Sequence, residues 1–336
     1  MTRPRVVVLS GETLFHSFFD PPRERHLSRR FDWTRAGGRR LTPRLRRLLA
    51  GADALVTTWD SPQFDETLLS LAPRLRIVAH CGGEVKGRFA RPLFDRLVIT
   101  NAPGPMAFYV AELALAFLLH AARRLDDYRE ALRRPTNRVY ARVHARGAGE
   151  ETLRGRTIGL LGFGRIGREL ALLLKPFGAR LLVHDPYVPA ALARRHAVER
   201  AGLERLLREC DLLVIAAALT DETRGLLDAR RLALLRDGTT VVNVARGGLL
   251  DLAALTREVR RGRLRCALDV SDPHEPLPLR HPLRRLRGAV VTPHVGAAAL
   301  AVRRQMADTV LAQLEGFFGD RRVTNRVSAR QLERMT

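Results

Sequence analysis

The fold of this chain is decided by TIGLLGFGRIG, residues 157–167, where a short apolar strand runs into three glycines spaced as GxGxxG. An amphipathic stretch over Arg168–Leu174 predicts a helix after the glycines. Gly162 permits a tight turn, Gly164 lets a bound molecule approach the backbone, and Gly167 lets the helix pack closely on the strand. A helix N-terminus also offers free N–H groups to phosphates. The spacing in this context predicts a dinucleotide-binding unit, which an isolated GxGxxG would not.

The next predicted strand indicates which dinucleotide is bound. Arg180–His184 is apolar and ends at Asp185, where a carboxylate meets the hydroxyls of an adenosine ribose. A carboxylate at this position repels a 2′-phosphate, so the sequence predicts NAD rather than NADP as the cofactor. The structural alternative is an aspartate that caps a turn before Pro186.

Short apolar runs alternate with amphipathic helical stretches, which is typical of strand–helix repeats around parallel sheets. The first set of predicted strands is Arg5–Leu9, Ala54–Thr57, Leu75–Ala79 and Leu97–Thr100. The second set is Thr157–Leu161, Arg180–His184, Leu212–Ala216, Thr240–Val244, Arg265–Val270 and Val290–Thr292. Two sets predict an α/β chain with two doubly wound parallel sheets.

The helices outside the two sets predict how the chain is divided into domains. A helix over Ala107–Leu132 connects the sets, and residues 133–149 are predicted to form a loop or arm. A last helix over Ala297–Phe318, with no strand predicted after it, is expected to pack on the first sheet. The first domain is then discontinuous. The predicted domains are residues 1–104 with 297–336, and residues 105–296.

The bulk composition is that of a globular protein. The 336 residues are 46% hydrophobic and 28% charged, which argues against disorder. No apolar run is expected to span a bilayer, and the N-terminus enters a strand without a secretory leader. We therefore expect a cytoplasmic protein that has no membrane partner.

The net charge of +23 comes almost entirely from arginine, since Lys86 and Lys175 are the only lysines. The arginines are spread along the chain, and no basic block or basic tail interleaved with aromatic residues occurs. We therefore predict that nucleic acid is not a partner, and attribute the arginine content to codon usage.

The three cysteines, Cys81, Cys210 and Cys266, are isolated in sequence and form no CxxC pair. This pattern predicts neither a disulfide framework nor a zinc site, and no metal is expected.

Three segments near the C-terminal end each offer one ionisable side chain to a small molecule. Arg246 lies in NVARG, residues 243–247, Glu275 precedes Pro276, and His294 lies in PHVG, residues 293–296. A fixed cation can hold an anionic substrate, and a histidine beside a carboxylate can exchange a proton with it. The three residues predict proton-coupled chemistry on an oxo or hydroxy acid.

Each of the three residues also has a structural interpretation. Arg246 is one of many arginines, His294 can be a satisfied core histidine, and Glu275 can be a solvated loop carboxylate. Asp272, three residues earlier in the same segment as Glu275, is an alternative partner for the histidine.

In these motifs the chain resembles the NAD-dependent D-isomer-specific 2-hydroxyacid dehydrogenase family, which includes glyoxylate/hydroxypyruvate reductases and phosphoglycerate dehydrogenases. The resemblance extends from about Leu75 to the end of the last helix. It implies a flavodoxin-like substrate domain built from both chain ends, a Rossmann NAD-binding domain with a cleft between them, and a homodimer. It implies interconversion of a small 2-oxo acid and a D-2-hydroxy acid. His294 would be the general acid and base, Glu275 would raise its proton affinity, and Arg246 would bind the substrate carboxylate and carbonyl.

The resemblance also implies the residues around the ligands. Those near the cofactor are Gly162, Gly164, Arg165, Ile166, Gly167, Asp185, Thr223, Val244, Ala245, Asp269 and Gly296. Those near the substrate are Cys81, Gly82, Gly83, Arg246 and His294.

Two departures from the family pattern concern the substrate. Lys86 stands where an acid is common in the loop after Gly83, and Met106 stands where asparagine is common. A second hypothesis follows from these changes and from the high charge, namely a non-enzymatic NAD-responsive binding protein similar to a corepressor. The retention of all three catalytic residue types favours the enzyme.

Overall fold

The computed structural model describes residues 3–37, 40–133, 138–146 and 152–335. The chain forms two compact units, Met1–Met106 with Ala297–Thr336, and Ala107–Gly296. We call them the terminal unit and the central unit. The boundaries predicted after residues 104 and 296 lie within two residues of this division.

The terminal unit contains a six-stranded sheet. Its strands are β1 (Arg5–Leu9), β2 (Asp32–Ala36), β3 (Ala54–Thr57), β4 (Ile77–His80), β5 (Val98–Thr100) and β13 (Arg326–Val327). Their order is β2-β1-β3-β4-β5-β13, and all pairs are parallel except β5 with β13. The first five strands have the flavodoxin-like order 2-1-3-4-5, as the resemblance implied.

Helices cover both faces of this sheet, so its central strands β3 and β4 are buried along their whole length. The helices are α1 (Glu12–Phe18), α2 (Pro21–Arg30), α3 (Pro43–Ala50), α4 (Thr67–Leu71), α5 (Leu93–Arg96) and α14 (Leu300–Phe318). The buried amide of Gln313 attaches α14 to the end of β5, since it accepts from the Thr100 hydroxyl at 2.7 Å and donates to the Asn101 carbonyl at 2.9 Å. The last helix therefore belongs to the first sheet, as predicted.

The central unit contains a seven-stranded, fully parallel sheet. Its strands are β6 (Thr157–Leu161), β7 (Arg180–His184), β8 (Glu199–Arg200), β9 (Leu212–Ile215), β10 (Thr240–Asn243), β11 (Arg265–Leu268) and β12 (Ala289–Val291). The order β8-β7-β6-β9-β10-β11-β12 contains the Rossmann order 3-2-1-4-5-6. All ten predicted strands are confirmed, with ends within two residues of those expected.

The helices of the central unit are α7 (Leu125–Leu132), α8 (Arg138–Arg146), α9 (Arg165–Leu174), α10 (Ala190–Arg195), α11 (Leu203–Glu209), α12 (Ala229–Leu232) and α13 (Leu252–Arg260). A further helix, α6 (Pro103–Ala122), contains the boundary between the units. The helix predicted over Ala107–Leu132 is two helices, because Arg124 adopts a left-handed conformation (φ 51°) and ends the hydrogen-bond ladder. Within the predicted arm, residues 138–146 are helical, whereas residues 134–137 and 147–149 lie outside the described residues.

The sequence did not predict β2, β8 or β13, and the expectation of no strand after the last helix is wrong. These are edge strands, and β8 and β13 have only two residues each. An edge strand has one hydrogen-bonded neighbour and carries no long apolar run.

Helix α6 contradicts the expectation that no apolar run is long enough to span a bilayer. Its 20 residues have a mean hydropathy of 1.6 over an 18-residue window, which is long and apolar enough to cross a membrane by length and composition. The reason is that Glu112 is the only charged residue between Pro103 and Ala122. Core helices of soluble proteins meet the same criterion, so this feature alone does not place the chain in a membrane.

A buried carboxylate on α7 joins three segments of the central unit. Asp127 is 7% exposed and accepts hydrogen bonds from Arg124 at 2.8 Å, Arg265 at 2.9 Å and Arg287 at 2.8 Å. Burial by itself raises the pKa of Asp127, but the three guanidinium groups outweigh burial and lower the pKa from 3.8 to about 2.

We expect Asp127→Asn to lower the free energy of unfolding by about 2 kcal/mol at neutral pH, since each pKa unit corresponds to about 1.4 kcal/mol. The pKa is lower in the folded than in the unfolded chain, so this contribution is present above about pH 4 and is lost as the pH falls toward 2. Urea unfolding of the variant and the wild type between pH 7 and pH 3 measures the difference, which narrows at the acid end. Glu130→Gln removes an exposed ion pair on the same helix and should change stability by less than about 1 kcal/mol. Equal effects of the two substitutions would contradict the prediction.

Candidate active site

The turn after β10 carries Arg246 and is held by a buried asparagine. Asn243 accepts from the N–H of Ala245 at 3.0 Å and donates to the carbonyl of Arg246 at 2.9 Å. The Nη1 atom of Arg246 donates to the carbonyl of Ala245 at 2.8 Å. Both the backbone and the half-buried side chain of Arg246 are therefore fixed to this turn.

Gly247 brings this turn into direct contact with the segment that leads to Glu275. A Cβ atom at Gly247 would lie 2.2 Å from the carbonyl carbon of Ser271 and 2.5 Å from the nitrogen of Asp272. Both neighbours are backbone atoms that cannot move independently. Only glycine allows the turn and the segment to approach this closely.

The buried carboxylate of Asp269 organises the loop that carries His294. Asp269 follows β11 and is 2% exposed. One of its oxygens accepts from the Thr292 hydroxyl at 2.6 Å and the N–H of Val295 at 2.8 Å, and the other accepts from the N–H of Gly296 at 2.9 Å. Charge-assisted hydrogen bonds to backbone N–H groups are strong, so this carboxylate fixes the loop on both sides of His294.

His294 has a backbone conformation that side chains rarely adopt. Its φ angle is 57°, and its N–H donates to the carbonyl of Asp269 at 2.9 Å. A left-handed conformation at a residue other than glycine costs about 1–3 kcal/mol and persists only where the surroundings impose it. The hydrogen bonds to Asp269 impose it here.

The imidazole of His294 is paired with Glu275. Its Nδ1 atom shares a short hydrogen bond with Oε1 of Glu275, and Oε2 of Glu275 accepts from the N–H of Ser271 at 3.3 Å. Asp272, the alternative partner, is not bonded to the ring. In the described part of the chain no hydrogen bond reaches Nε2 of His294, whose side chain is 46% exposed.

The charges around Glu275 keep it ionised. Partial burial raises the pKa of Glu275, but the hydrogen bond and charge of His294, the N–H of Ser271 and the charge of Arg246 outweigh burial and lower the pKa below its usual value. The influence of Arg246 shows that all three predicted catalytic residues lie in one electrostatic cluster of the central unit.

The glycine-rich turn has the shape that a dinucleotide requires. Gly162 has a φ angle of 94°, and a Cβ atom there would lie 2.5 Å from the backbone of Ala217. A Cβ atom at Gly167 would lie 2.7 Å from the carbonyl oxygen of Gly162. No atom lies within 4 Å of the Cβ position of Gly164, so the backbone there is open to a ligand.

Helix α9 begins at Arg165, three residues before the predicted start, and Gly164 caps it without a side-chain hydrogen bond. Its first turn contains the exposed Arg165 and the half-buried Ile166. Asp185 follows β7 and accepts from the N–H of Phe163 at 2.8 Å and from that of Tyr187 at 2.9 Å. These bonds place its carboxylate beside the glycine turn, where the sequence predicts contact with the ribose. The residues present therefore fit NAD.

The remaining residues predicted near the cofactor lie in loops or at strand ends of the same unit. Val244 and Ala245 are buried at the end of β10. The hydroxyl of Thr223 donates to the carbonyl of Ala218 at 2.7 Å and accepts from the N–H of Thr220 at 2.8 Å, so it closes its own turn. Direct cofactor contacts of Thr223, Asp269 and Gly296 stay predictions, since the structure shows these residues in protein hydrogen bonds.

The residues predicted near the substrate in the terminal unit form a turn after β4. The Cys81 side chain is fully buried, and burial raises the pKa of its thiol. The backbone N–H of Cys81 donates to the carbonyl of Thr57 at 2.8 Å. Neither the thiol nor the N–H of Cys81 is therefore available to a substrate. In the described part of the chain the N–H of Gly83 donates to no other group, so Gly83 keeps the predicted role as a candidate donor.

The two departures from the family pattern also lie in this unit. Lys86 is exposed. The sulfur of Met106 lies 3.3 Å from the Cβ position of Gly83 and thus borders the turn. His80 and its buried partner Thr57 were not predicted from the sequence as functional residues. His80 shares a hydrogen bond of 2.9 Å with the Thr57 hydroxyl, and burial together with the charge of Arg88 lowers the pKa of His80 to about 3.

Across the described ranges, no group of three or more histidine, cysteine, aspartate or glutamate side chains is arranged to hold a metal ion.

Comparison with known proteins agrees with this geometry. Residues 115–296 match the family model of the D-isomer specific 2-hydroxyacid dehydrogenase NAD-binding domain. Glyoxylate reductase of Aeropyrum pernix is 36% identical over 79% of this chain and 80% of its own length. D-3-phosphoglycerate dehydrogenase of Mycobacterium leprae is 36% identical over 80% of this chain, a match that spans half of its own length.

A solved structure resembles nearly the whole chain. The NADPH-dependent glyoxylate/hydroxypyruvate reductase of Sinorhizobium meliloti, in complex with NADP and malonate, has a TM-score of 0.76 at 25% identity, over 99% of this chain and 98% of that one. The chain therefore belongs to the D-isomer-specific 2-hydroxyacid dehydrogenase family. It is an NAD-dependent oxidoreductase of 2-hydroxy and 2-oxo acids.

Proposed function

We propose that this protein reduces a small 2-oxo acid to the D-2-hydroxy acid, with His294 as general acid, Glu275 as its partner and Arg246 as the binding group for the substrate. The observation that carries the proposal is the cluster itself. Glu275 bonds one nitrogen of the His294 ring, the other nitrogen is unbonded in the described part of the chain, and Arg246 lies close enough to lower the pKa of Glu275.

NAD, when bound, supplies and accepts the hydride. Addition of hydride to a ketone leaves negative charge on the carbonyl oxygen, which requires a positioned proton donor. In the proposed geometry Nε2 of His294 gives a proton to that oxygen during reduction and takes it back during oxidation.

Glu275 acts on the ring rather than on the substrate. Its carboxylate bonds Nδ1 and is itself held by the N–H of Ser271. An adjacent carboxylate stabilises the protonated form of an imidazole and fixes which nitrogen points away from it. Glu275 therefore directs Nε2 toward the reacting oxygen.

Arg246 supplies a cation whose fork matches the planar carboxylate and carbonyl of an oxo acid. The turn that holds Arg246 is fixed by Asn243 and packed against Ser271, so the guanidinium and the carboxylate of Glu275 are carried on contacting segments. Fixed geometry of this kind lowers the entropic cost of reaching the transition state.

The substrate class is tested by following NADH absorbance with glyoxylate, hydroxypyruvate, pyruvate, and longer and branched 2-oxo acids. Relatives named glyoxylate reductase or glyoxylate/hydroxypyruvate reductase are the reason for including the first two acids. We expect oxidation of NADH with at least one acid. A protein that binds NADH and oxidises it with none of them would contradict the proposal.

The non-enzymatic alternative is not favoured. The relatives found are named reductases and dehydrogenases, and the cluster retains all three residue types.

We also propose that the protein is a homodimer. Large apolar side chains are exposed on consecutive helices of the chain, namely Phe108 (44%), Leu125 (51%), Leu132 (78%) and Tyr140 (64%). Exposed apolar patches mark interaction surfaces. Sedimentation velocity measures the oligomeric state directly, and a monomer at micromolar concentration would contradict the proposed homodimer.

A cytoplasmic location stays a proposal. Its support is that all three cysteines are unpaired and buried, and fractionation of cells with a tagged chain tests it.

A further inference from the structure

The strand order of the terminal unit's sheet indicates where a ligand can bind. From β1 the chain connects to β2 on one side, and then crosses to β3 on the other side. In open α/β sheets ligands bind outside the carboxyl ends of the strands, at the point where the strand order reverses. In this sheet that point lies between the ends of β1 and β3.

An arginine from α14 lies beside the loop that follows β3, on one side of this point. The guanidinium of Arg303 is 5.0 Å from the centre of the Trp59 ring and 6.0 Å from that of Phe18. Trp59 follows β3, and Phe18 ends the helix that follows β1. The contact with Trp59 therefore places the guanidinium beside the end of β3, and the contact with Phe18 places it beside the C-terminal end of α1.

Most hydrogen-bond donors of the Arg303 guanidinium have no partner in the described part of the chain. In the described part of the chain its side chain makes one hydrogen bond, from Nη1 to the Ser17 hydroxyl at 3.0 Å, and forms no ion pair. Its Nε atom is buried and has no partner. Burial lowers the pKa of Arg303, and no carboxylate offsets this cost. A guanidinium that is held in place, partly buried and without a counter-ion is suited to an anionic ligand.

Asp60 lies at the same edge of the sheet but does not neutralise the charge of Arg303. Asp60 accepts from the N–H of Gly11 at 2.7 Å and from the Thr58 hydroxyl at 2.6 Å. These bonds hold its carboxylate on the β1 and β3 loops, and it forms no ion pair with Arg303 among the described residues.

The same indole that supports Arg303 also borders the turn predicted to bind the substrate. The Nε1 atom of Trp59 lies 3.0 Å from the Cβ position of Gly82. The N–H of Gly82 donates to the carbonyl of His80 at 2.9 Å, which leaves the N–H of Gly83 as the candidate donor in this turn. Trp59 is therefore a neighbour of both Arg303 and the predicted substrate turn.

We propose that Arg303, supported by Trp59, binds a second anionic group of the substrate, so that the preferred 2-oxo acids are dianions with a distal carboxylate or phosphate. This inference rests on the proposed function and adds the substrate class to it. The free Nη2 edge of the guanidinium bonds the distal group, while the cation–π contact with Trp59 holds the arginine in place.

The test compares kinetics on matched acids. Pyruvate and hydroxypyruvate carry one anionic group, 2-oxoglutarate and oxaloacetate carry a second carboxylate, and phosphohydroxypyruvate carries a phosphate. For the wild type we expect a higher kcat/KM with at least one dianion. A higher kcat/KM for the dicarboxylates would identify a carboxylate as the distal group that is bound, and a higher kcat/KM for phosphohydroxypyruvate would identify a phosphate.

Arg303→Met keeps a long unbranched side chain at this position but removes the charge. We expect it to lower kcat/KM for the dianions by about 10- to 100-fold, mainly through KM, and to change pyruvate kinetics by less than about 2-fold. Arg303→Lys keeps the charge without the fork and should recover part of the loss. Arg304→Gln, next along the helix, removes an exposed arginine paired with Asp20 and serves as the matched control.

Two results would overturn the inference. One is a wild type that turns over monoanions as well as dianions, and the other is equal loss on both classes in Arg303→Met. If no acid is turned over, the proposed function fails separately, and calorimetric titration with succinate and with inorganic phosphate then decides the site. Binding of neither probe, or binding that Arg303→Met leaves unchanged, also overturns the inference.

Discussion

Substitution of His294 by glutamine should lower kcat for reduction of the best 2-oxo acid by about 10²–10⁴-fold, the range that a general acid contributes. Glutamine preserves much of the size and polarity of the ring but cannot deliver a proton. In the proposed mechanism the ring donates its proton from Nε2, because Glu275 bonds Nδ1. Stopped-flow and steady-state NADH fluorescence measure turnover and cofactor affinity in the same preparation.

We expect the dissociation constant for NADH to change by less than about 3-fold in this variant, since the proposed role of His294 is proton transfer. The matched control is His274→Gln, which alters an exposed histidine beside Glu275. Its activity should stay close to that of the wild type. A parallel loss of NADH affinity and turnover in His294→Gln would show that the left-handed turn at His294 is structural rather than catalytic.

Removal of the cation at position 246 should have the second large effect. Arg246→Met should lower kcat/KM by at least about 10²-fold, because two charge-assisted hydrogen bonds to the substrate, worth about 1.5–3 kcal/mol each, are lost. KM should rise, because the carboxylate loses its counter-ion. Arg246→Lys should recover only part of the activity, because an ammonium keeps the charge but not the planar fork.

Arg257→Met is the control for this experiment, since Arg257 is an exposed arginine on α13 of the same unit. It should leave kcat/KM unchanged. The prediction fails if Arg246→Met retains full activity. A large drop in the free energy of unfolding would instead assign the effect to the turn that Asn243 holds.

The sequence predicted those parts of the molecule whose signal is local. The glycine-rich turn combines a strand, a fixed glycine spacing and a helix within 18 residues, 157–174, so its structure follows from its own segment. The buried central strands carry uninterrupted apolar runs for a similar reason. The break between α6 and α7 was missed, because a left-handed arginine at position 124 leaves no pattern in a helical composition.

The sequence could not decide features that depend on contacts between distant segments. It left Glu275 and Asp272 as alternative partners of His294, and the structure pairs the histidine with Glu275. Asp269 was singled out as a cofactor residue, whereas the structure shows its carboxylate in three hydrogen bonds to the His294 loop. Arg303 looked like one arginine among many, and its environment appears only when α14 meets the loops after β1 and β3.

The most direct test of hydride transfer uses NADH that carries deuterium at the transferred position of the nicotinamide ring. The 2-oxo acid with the highest kcat/KM is reduced, and the product is examined by mass spectrometry and chiral chromatography. We expect a D-2-hydroxy acid with one deuterium at C2, and no labelled product with His294→Gln on the same timescale. NADH loss without deuterium in the acid, or a product of L configuration, would contradict this expectation.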